Sequence, residues 1–499
     1  MTSKSKRSIS AALAALLAAT AAMSASCGST ENGGDTTVSD NPVTTDAPET
    51  TDPRNIDDEL PDMDFEGKTF TILTEGTAYT DVLAESMNGD VINDAIYNRN
   101  QSVSERFNTQ IEIIGQEILE GELDSTIEKS VLAGDEAFQL IVHHAIHASR
   151  LILKDLFVNW YGLPYIDFSK PWWPKSTTED LTYGDDKTIF AIGDLALSSI
   201  GGTYCYFYDK TGAENYGLDN LYDVVNDGKW TLDYVMNLTK DIYKDLNGNN
   251  ERDKEDYYGL TQTLRSGLNA YFWSSGGKVI TKGSDGELEL TMNTPHTYDI
   301  IEKLYQLCYE SEGVCTERDY TGFNWEGLFA GYSFRDDLSL MIGGTLDMSI
   351  KYFRERKGEY GILPYPKLDE AQAEYHTMVD GFHSILAVPK TISDPEFVGI
   401  ITEALNAESY KSVVPQYYEV ALKTKYTYDD ESVKMLDMIV DSRIFDFGYI
   451  YDAWQGTAFY TETLIRDKKS KDFASFYASN SASAIDYYNK LFAFFDSLE

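Results

Sequence analysis

The core of this chain cannot begin before about residue 66. From Gly28 to Leu60 there is no aromatic residue, and Thr, Asp, Asn, Gly and Pro dominate. The bulky apolar side chains in that stretch, Val38, Val43, Ile56 and Leu60, stand singly. Such a segment cannot bury enough surface to offset the entropy lost on ordering, so residues 27–65 read as a flexible tether. About 440 residues remain for the folded part. That is too many for one small core and predicts two lobes or domains.

What precedes the tether gives it an address. Lys4, Lys6 and Arg7 are followed by an apolar stretch from Ala11 to Met23, then by Ser24-Ala25-Ser26 and Cys27. A basic start, a short apolar run and small residues before a cut site make a secretory signal. The run is too short for a membrane span, which needs about 20 residues, and no later stretch approaches one. A cysteine at the cut site makes residues 1–26 resemble a bacterial lipoprotein signal peptide, with Cys27 becoming the lipidated N-terminus. Ser24 stands where such signals usually carry an aliphatic residue. The other reading is therefore ordinary cleavage near Ala25 or Ser26, leaving Cys27 free. The expected place is the extracellular face of a cell membrane. A tether suits a cell without an outer membrane, from which a free protein would diffuse away.

The formal charge is −41, and losing residues 1–26 makes it more negative still. Such a chain repels nucleic acid and anionic lipid, so contact with the membrane is expected through the anchor alone. Besides Cys27 there are only Cys205, Cys308 and Cys315, which is no disulfide framework. Cys308 and Cys315 are close enough in sequence to bridge. The absence of Cys-x-x-Cys argues against structural zinc.

Past the tether, the periodicity alternates. Lys68 to Leu73 alternates as a first strand, and Ile92, Ile96, Val103 and Phe107 share one helical face. Ile111 and Ile113 mark a second strand, and Phe138 to Val142 a buried one after another helix. Thr231 is a plausible N-cap in Gly228-Lys229-Trp230-Thr231. Later strands are expected at Leu338 to Ile342, Tyr360 to Leu363 and Ser384 to Val388, and the last 90 or so residues read as mostly helical. Strands alternating with helices predict an α/β class, sheets covered by helices.

One loop carries metal chemistry. In Asp245-Leu246-Asn247-Gly248-Asn249-Asn250-Glu251-Arg252-Asp253-Lys254-Glu255-Asp256, side-chain oxygens fall on alternate positions, which a tightly turning loop points inward. Ca²⁺ takes six to eight hard oxygen ligands on such a loop. The candidate ligands are Asp245, Asn247, Asn249, the Glu251 carbonyl, Asp253 and a closing carboxylate from Glu255 or Asp256. Asn250 replaces the glycine of an EF-hand loop, and Asn is the next-best residue for a left-handed turn. The alternative is a solvated Asn/Asp loop with no metal. With calcium, the site would be structural.

In order and spacing, several segments resemble the extracellular solute-binding proteins of bacterial ABC importers, especially their carbohydrate-binding, maltose-binding-protein-like group. They are Asn93 to Asn100 with Glu105-Arg106-Phe107-Asn108, Gly228 to Thr231, the Asp/Asn loop with Tyr258-Gly259-Leu260, and Tyr360 to Lys367. The resemblance spans about residues 66–499. It implies a periplasmic-binding-protein-like fold of two α/β lobes joined by hinge strands, with a ligand cleft between them. Lobe one would be 66–192 plus 360–410, and lobe two 193–359 plus 411–499, with the second crossing near Glu359 to Pro364. The partners implied are a carbohydrate ligand and the membrane subunits of an ABC permease, with the binding protein itself a monomer.

A sugar presents a flat C–H face and a rim of hydroxyls, so its site combines aromatic rings with planar polar groups. Tyr271 and Trp273, before Gly276-Gly277, resemble a cleft-lining segment of that family; a buried core cluster is the other reading. Weaker candidates are Glu75, His143 and His144 at strand ends, Asp194 at the first crossing, Asp347 in lobe two and Trp454 in a late helix. Trp172 and Trp173 read as packing anchors. His143, His144 and His147 lack a following carboxylate pattern and read as satisfied histidines rather than a metal site.

A binding module that captures an oligosaccharide is thus the leading expectation, with no reaction performed. A ligand-sensing lipoprotein for a receptor kinase would have the same fold. An exported glycan-active enzyme would need two carboxylates flanking a glycosidic bond, and no pair stands out. No Gly-x-Ser-x-Gly, His-Glu-x-x-His or P-loop occurs.

Overall fold

The computed structural model describes residues 54–498, apart from 77, 120, 264, 284–287, 317–328, 354–355, 419–429 and 453–455. The signal segment, Cys27 and Trp454 lie outside the described residues.

The first sheet has the order Ser384–Ala387, Leu140–His144, Lys68–Thr74, Thr109–Ile114. Lys68–Thr74 pairs in parallel with both of its neighbours, and Ser384–Ala387 runs antiparallel at the edge. Leu140–His144 is buried at every position, as a strand covered on both faces should be. The expected amphipathic helix is Val91–Phe107. Asp90 caps it by accepting the Ile92 and Asn93 N–H groups at 3.1 and 3.0 Å, and Asn108 ends it in a left-handed turn. Its buried face, including Ile96, Val103 and Phe107, packs on the helix Pro395–Glu408.

The second sheet has the order Tyr360–Leu363, Tyr204–Asp209, Ser339–Thr345, Tyr257–Gln262, Tyr243–Lys244, with Val314–Thr316 also on Tyr257–Gln262. Tyr204–Asp209 is antiparallel to both of its neighbours, whereas Ser339–Thr345 is parallel to Tyr257–Gln262. Thr231 caps the helix Leu232–Thr239 as expected, accepting the Tyr234 N–H at 3.2 Å.

The chain passes between the lobes after Ala191, which bridges Leu386, and before Thr203, which bridges Val379. Tyr360–Leu363 pairs with Tyr204–Asp209, so this strand belongs to the second lobe and the return follows Leu363, at the end of the Glu359 to Pro364 crossing that the resemblance implies. Thr377–Met378 then pairs with Arg443–Ile444 as a short strap before Ser384–Ala387 rejoins the first sheet. The turns at Ser409–Gln416 pack on Val91–Phe107 and stay with the first lobe. The last helix, Phe473–Asp496, packs on both Ser149–Lys154 and Pro295–Tyr309. The boundary expected at 411 is therefore displaced, because the C-terminal segment buttresses both lobes. Cys205, Cys308 and Cys315 are buried, and no disulfide joins Cys308 to Cys315.

Trp172 and Trp173 are anchors, as expected. Their indole N–H groups donate to the two oxygens of one buried carboxylate, Glu403, at 2.8 and 3.0 Å. Burial pushes the Glu403 carboxyl up to about 7, against the pull of the two indoles. A raised carboxyl makes the folded state the better proton binder. Its contribution to stability is full below pH 4.5 and disappears as pH rises through 7. Over that interval the Glu403 contribution should fall by about 3 kcal/mol. Urea unfolding from pH 4.5 to 8 should show this slope in the native protein and a flatter profile in Glu403→Gln. Equal slopes would mean that Glu403 titrates normally.

Candidate functional site

A cleft of about 510 Å³ lies between the two sheets. One wall comes from the first lobe, where Leu140–His144 ends and the turn Ala145–Ala148 begins, and presents His144, Ile146 and His147. This wall is fixed from behind. Buried His143 has Glu75 Oε1 at 2.8 Å from Nδ1 and Asp124 Oδ1 at 2.9 Å from Nε2. Only an imidazolium can donate from both ring nitrogens at once. Burial opposes that charge, but the bonds to Asp124 and Glu75 outweigh it and raise the His143 pKa. Glu75 is wholly buried and also accepts the Gly121 N–H at 2.8 Å and the His144 N–H at 3.3 Å. Burial resists its ionisation, but the His143 contact prevails and holds it well below the carboxylate range. In front, the His144 and His147 rings stack with centroids 4.0 Å apart. Burial, then the neighbouring imidazoles, keep the His144 pKa well below its ordinary value.

The floor is the hinge. Tyr204 opens its second-sheet strand and donates from its hydroxyl to Asp380 Oδ2 at 2.7 Å. Asp380 Oδ1 accepts the Phe382 N–H at 3.1 Å, which seats that half-buried ring in the cleft. The second-lobe wall comes from the starts of two helices. Arg265, Ser266 and Asn269 lie at Ser266–Ser274, and Asp347, Met348 and Lys351 at Met348–Lys351. Asp347 accepts the Thr345 hydroxyl at 2.6 Å and pairs with Lys351 Nζ at 2.5 Å. The C-terminal segment closes the site with Tyr449, Phe459, Glu462 and Arg466. Aromatic faces thus alternate with carboxylates, guanidinium groups and an amide, a surface able to stack on an apolar ring face and hydrogen-bond its rim.

Two sequence candidates, His144 and Asp347, line this cleft, and Glu75 and His143 stand directly behind its first wall. Tyr271 does not reach it. It is fully buried against Tyr206 and Tyr365, and its hydroxyl bonds to Tyr206 and Gln262. Trp273 is also buried and lines a different cavity of about 790 Å³ behind the hinge, although its ring packs 4.9 Å from Tyr449 of the cleft. Asp194 lies in a further cavity, on the side of Arg54 and Arg443, where burial pushes its carboxyl up to about 7 against those two cations. Sequence reasoning missed Tyr204, Phe382, Tyr449 and Phe459. The Asp380-Gly381-Phe382 turn before a strand was the one local signal available for them.

In the Asp/Asn loop, Gly248 and Asn250 take left-handed backbone conformations, as the turn reading requires. Asp245 accepts the Gly248 and Asn250 N–H groups at 2.6 and 2.8 Å. The Asn247 and Asn249 amides donate to Asp253 Oδ2 at 2.9 and 2.7 Å, and the Asn249 oxygen takes the Glu251 N–H at 2.7 Å. Buried Asp256 anchors the loop, accepting the Tyr243 hydroxyl and the Leu246 and Asp253 N–H groups at 2.9–3.1 Å. Among the described residues, no three His, Cys, Asp or Glu side chains are grouped to hold a metal ion.

No protein-family model and no curated protein sequence matches the chain. Solved structures do. The cyclic alpha-maltosyl-1,6-maltose binding protein of Arthrobacter globiformis aligns at a TM-score of 0.55 with 14% identity, over 86% of this chain and 99% of that one. The maltose/maltodextrin-binding domain MalE of Bdellovibrio bacteriovorus, bound to maltotriose, aligns at 0.54 with 11% identity, over 85% and 99%. An ABC transporter solute-binding protein of Thermotoga lettingae, bound with alpha-D-tagatose, aligns at 0.53 with 12% identity, over 85% and 100%. The chain therefore has the two-lobed solute-binding-protein fold, the architecture its sequence resembles. No helix among the described residues is long and apolar enough to cross a membrane.

Proposed function

We propose that this protein is an exported binding module that captures a carbohydrate between its lobes and delivers it to an ABC permease, without chemical conversion. The observation that carries this reading is the cleft itself: about 510 Å³, at the hinge, with aromatic faces set among planar polar groups. That volume suits an oligosaccharide better than a single ring. The similar solved structures are named as binding proteins, which supports capture rather than reaction. Isothermal titration against a neutral and charged glycan panel tests the reading. Phe382→Ala should weaken the best ligand by about 1–2 kcal/mol, roughly five- to thirtyfold, because a stacking face is lost. A panel without a single binder, beside clear binding of a peptide, would remove the carbohydrate assignment.

The address proposed is a lipid anchor at Cys27, with residues 28–53 as spacer to the permease; Ile56, Leu60, Met63 and Phe65, expected in the tether, pack instead on the first-lobe core, and Asp58 pairs with Arg106. The signal-like run before Cys27 supports it. Mass spectrometry of the mature N-terminus should find an acylated Cys27, and an unmodified one would remove the anchor.

Calcium is proposed for the Asp245–Asp256 loop, in a structural role. Support comes from the alternating oxygens and from the left-handed Gly248 and Asn250. The residues fit if the Asn247 and Asn249 amides turn their oxygens, rather than their NH₂ groups, inward. Ca²⁺ would then draw the carboxylates of Asp245 and Asp253 together and clamp the turn. Adding Ca²⁺ should raise the thermal midpoint by a few degrees through linkage. Asp245→Ala should abolish that rise, and a midpoint indifferent to Ca²⁺ and to chelator would leave the loop metal-free.

A further inference from the structure

Carboxylates outnumber fixed cations in the described lining of the cleft, four to three. The cations are Arg265, Lys351 and Arg466, and the carboxylates are Asp347, Asp380, Glu462 and Asp467. Each cation already has a carboxylate. Lys351 Nζ lies 2.5 Å from Asp347 Oδ2. Arg466 Nη1 pairs with Glu462, and Arg466 Nε lies 2.8 Å from Asp467 Oδ1. Arg265 Nε lies 3.7 Å from the same Glu462 oxygen. The second Glu462 oxygen is held by the Asn269 amide at 3.0 Å, so Glu462 is a fixed counter-ion rather than a swinging one. On the opposite wall, buried His144 stays neutral because burial and neighbouring imidazoles resist its protonation.

Among the described residues, an anionic ligand entering this cleft finds no fixed cation without a carboxylate partner. Its carboxylate or sulfate would have to displace Asp347 from Lys351, or Glu462 and Asp467 from Arg466. The displaced carboxylate would then stay in the same partly desolvated space, and like charges held close there are costly. The long-range field points the same way, since a chain of net charge −41 repels anions before contact. An uncharged ligand meets none of this. A hydroxyl both donates and accepts, so it can hydrogen-bond the outer edges of the paired carboxylates and guanidiniums without breaking a pair.

Resting on the carbohydrate reading, we infer that the cleft selects uncharged glycans and rejects those bearing uronate or sulfate, with Asp347 and Asp467 as the residues that set this preference. They act by neutralising Lys351 and Arg466, which would otherwise serve an anionic sugar. Such selection is negative as much as positive: it comes from denying a cation to the wrong ligand.

The experiment is a binding panel of tetrasaccharides of equal length, neutral on one side and carrying uronate or sulfate on the other, titrated on the full chain at fixed ionic strength. The expected result is binding confined to neutral members, or at least tenfold weaker for charged ones. Asp347→Asn and Asp467→Asn should each raise the ratio of charged-probe to neutral-probe affinity at least tenfold. Asp467 is exposed, so its variant reads out even where Asp347→Asn disturbs the fold. Preferred binding of a uronate or sulfated member by the native protein overturns the inference and leaves carbohydrate capture standing. So does a ratio that neither variant changes. Binding of no member at all removes the carbohydrate reading and this inference with it.

Discussion

One turn of helix, Glu403 to Asn406, fixes where this chain passes from one lobe to the other. Glu403 holds the indoles of Trp172 and Trp173, and the Trp172 carbonyl accepts the Asp194 N–H at 2.9 Å. Three residues on, Asn406 Oδ1 accepts the Leu195 N–H at 3.0 Å while its amide donates back to Thr402. Gly193 runs between these anchors so closely that a Cβ there would lie 2.2 Å from Asn406 Oδ1 and 2.7 Å from the Trp173 ring. No side chain fits, and the crossing has one path. The clamp carries a cost, because it keeps a carboxylate buried with no cation among the groups that shift it. Two charge-assisted indole bonds offset part of that cost and orient both rings.

With the crossing fixed, the cleft inherits its geometry. The first-lobe wall is stiff because a His143 imidazolium is locked between Glu75 and Asp124, and Glu75 has further backbone donors. A wall built this way does not adapt its charge to the ligand. The rest of the lining is less constrained: Phe382 of the hinge and Phe459 of the C-terminal segment are only partly buried, and the second-lobe and C-terminal ion pairs reach solvent. One face of the cleft is thus preorganised, and the other is held by pairs that reach solvent.

The strands of the first sheet were legible in the sequence because their signals are local, whereas Tyr204–Asp209 and Tyr257–Gln262 of the second sheet were not read as strands. Phe70 and Ile72 alternate, and Thr231 caps its helix. The lobe boundaries were less so. Tyr360–Leu363 reads equally well as the last strand of one lobe or the first of the next, and only its pairing with Tyr204–Asp209 decides. The site was legible where a candidate sits at a strand end, as with His144, or next to a helix start, as with Asp347. It was not legible for aromatics. Tyr271 and Tyr449 carry the same local signal, yet one is sealed among Tyr206, Tyr365 and Gln262, and the other faces the cleft. Separating them needs the packing of segments far apart in the sequence, which no short pattern encodes.

That same packing ties the two sides of the hinge together. Trp273 lines the cavity behind the hinge and touches, at 4.9 Å between ring centroids, Tyr449 of the cleft. Gly448 beside it has no room for a side chain, since a Cβ would lie 2.6 Å from Val279 Cβ. A lobe movement that widens the cleft must therefore move the Trp273–Tyr449 contact or slide Phe447–Ile450 past Val279. Close-packed interfaces of this kind have few intermediate arrangements, because a small gap already forfeits much of the dispersion energy. A change in lobe angle would then be a change between two packings rather than a continuous bend. The C-terminal segment, which supplies both Tyr449 and the Glu462–Arg466 pair, is the part that registers the change.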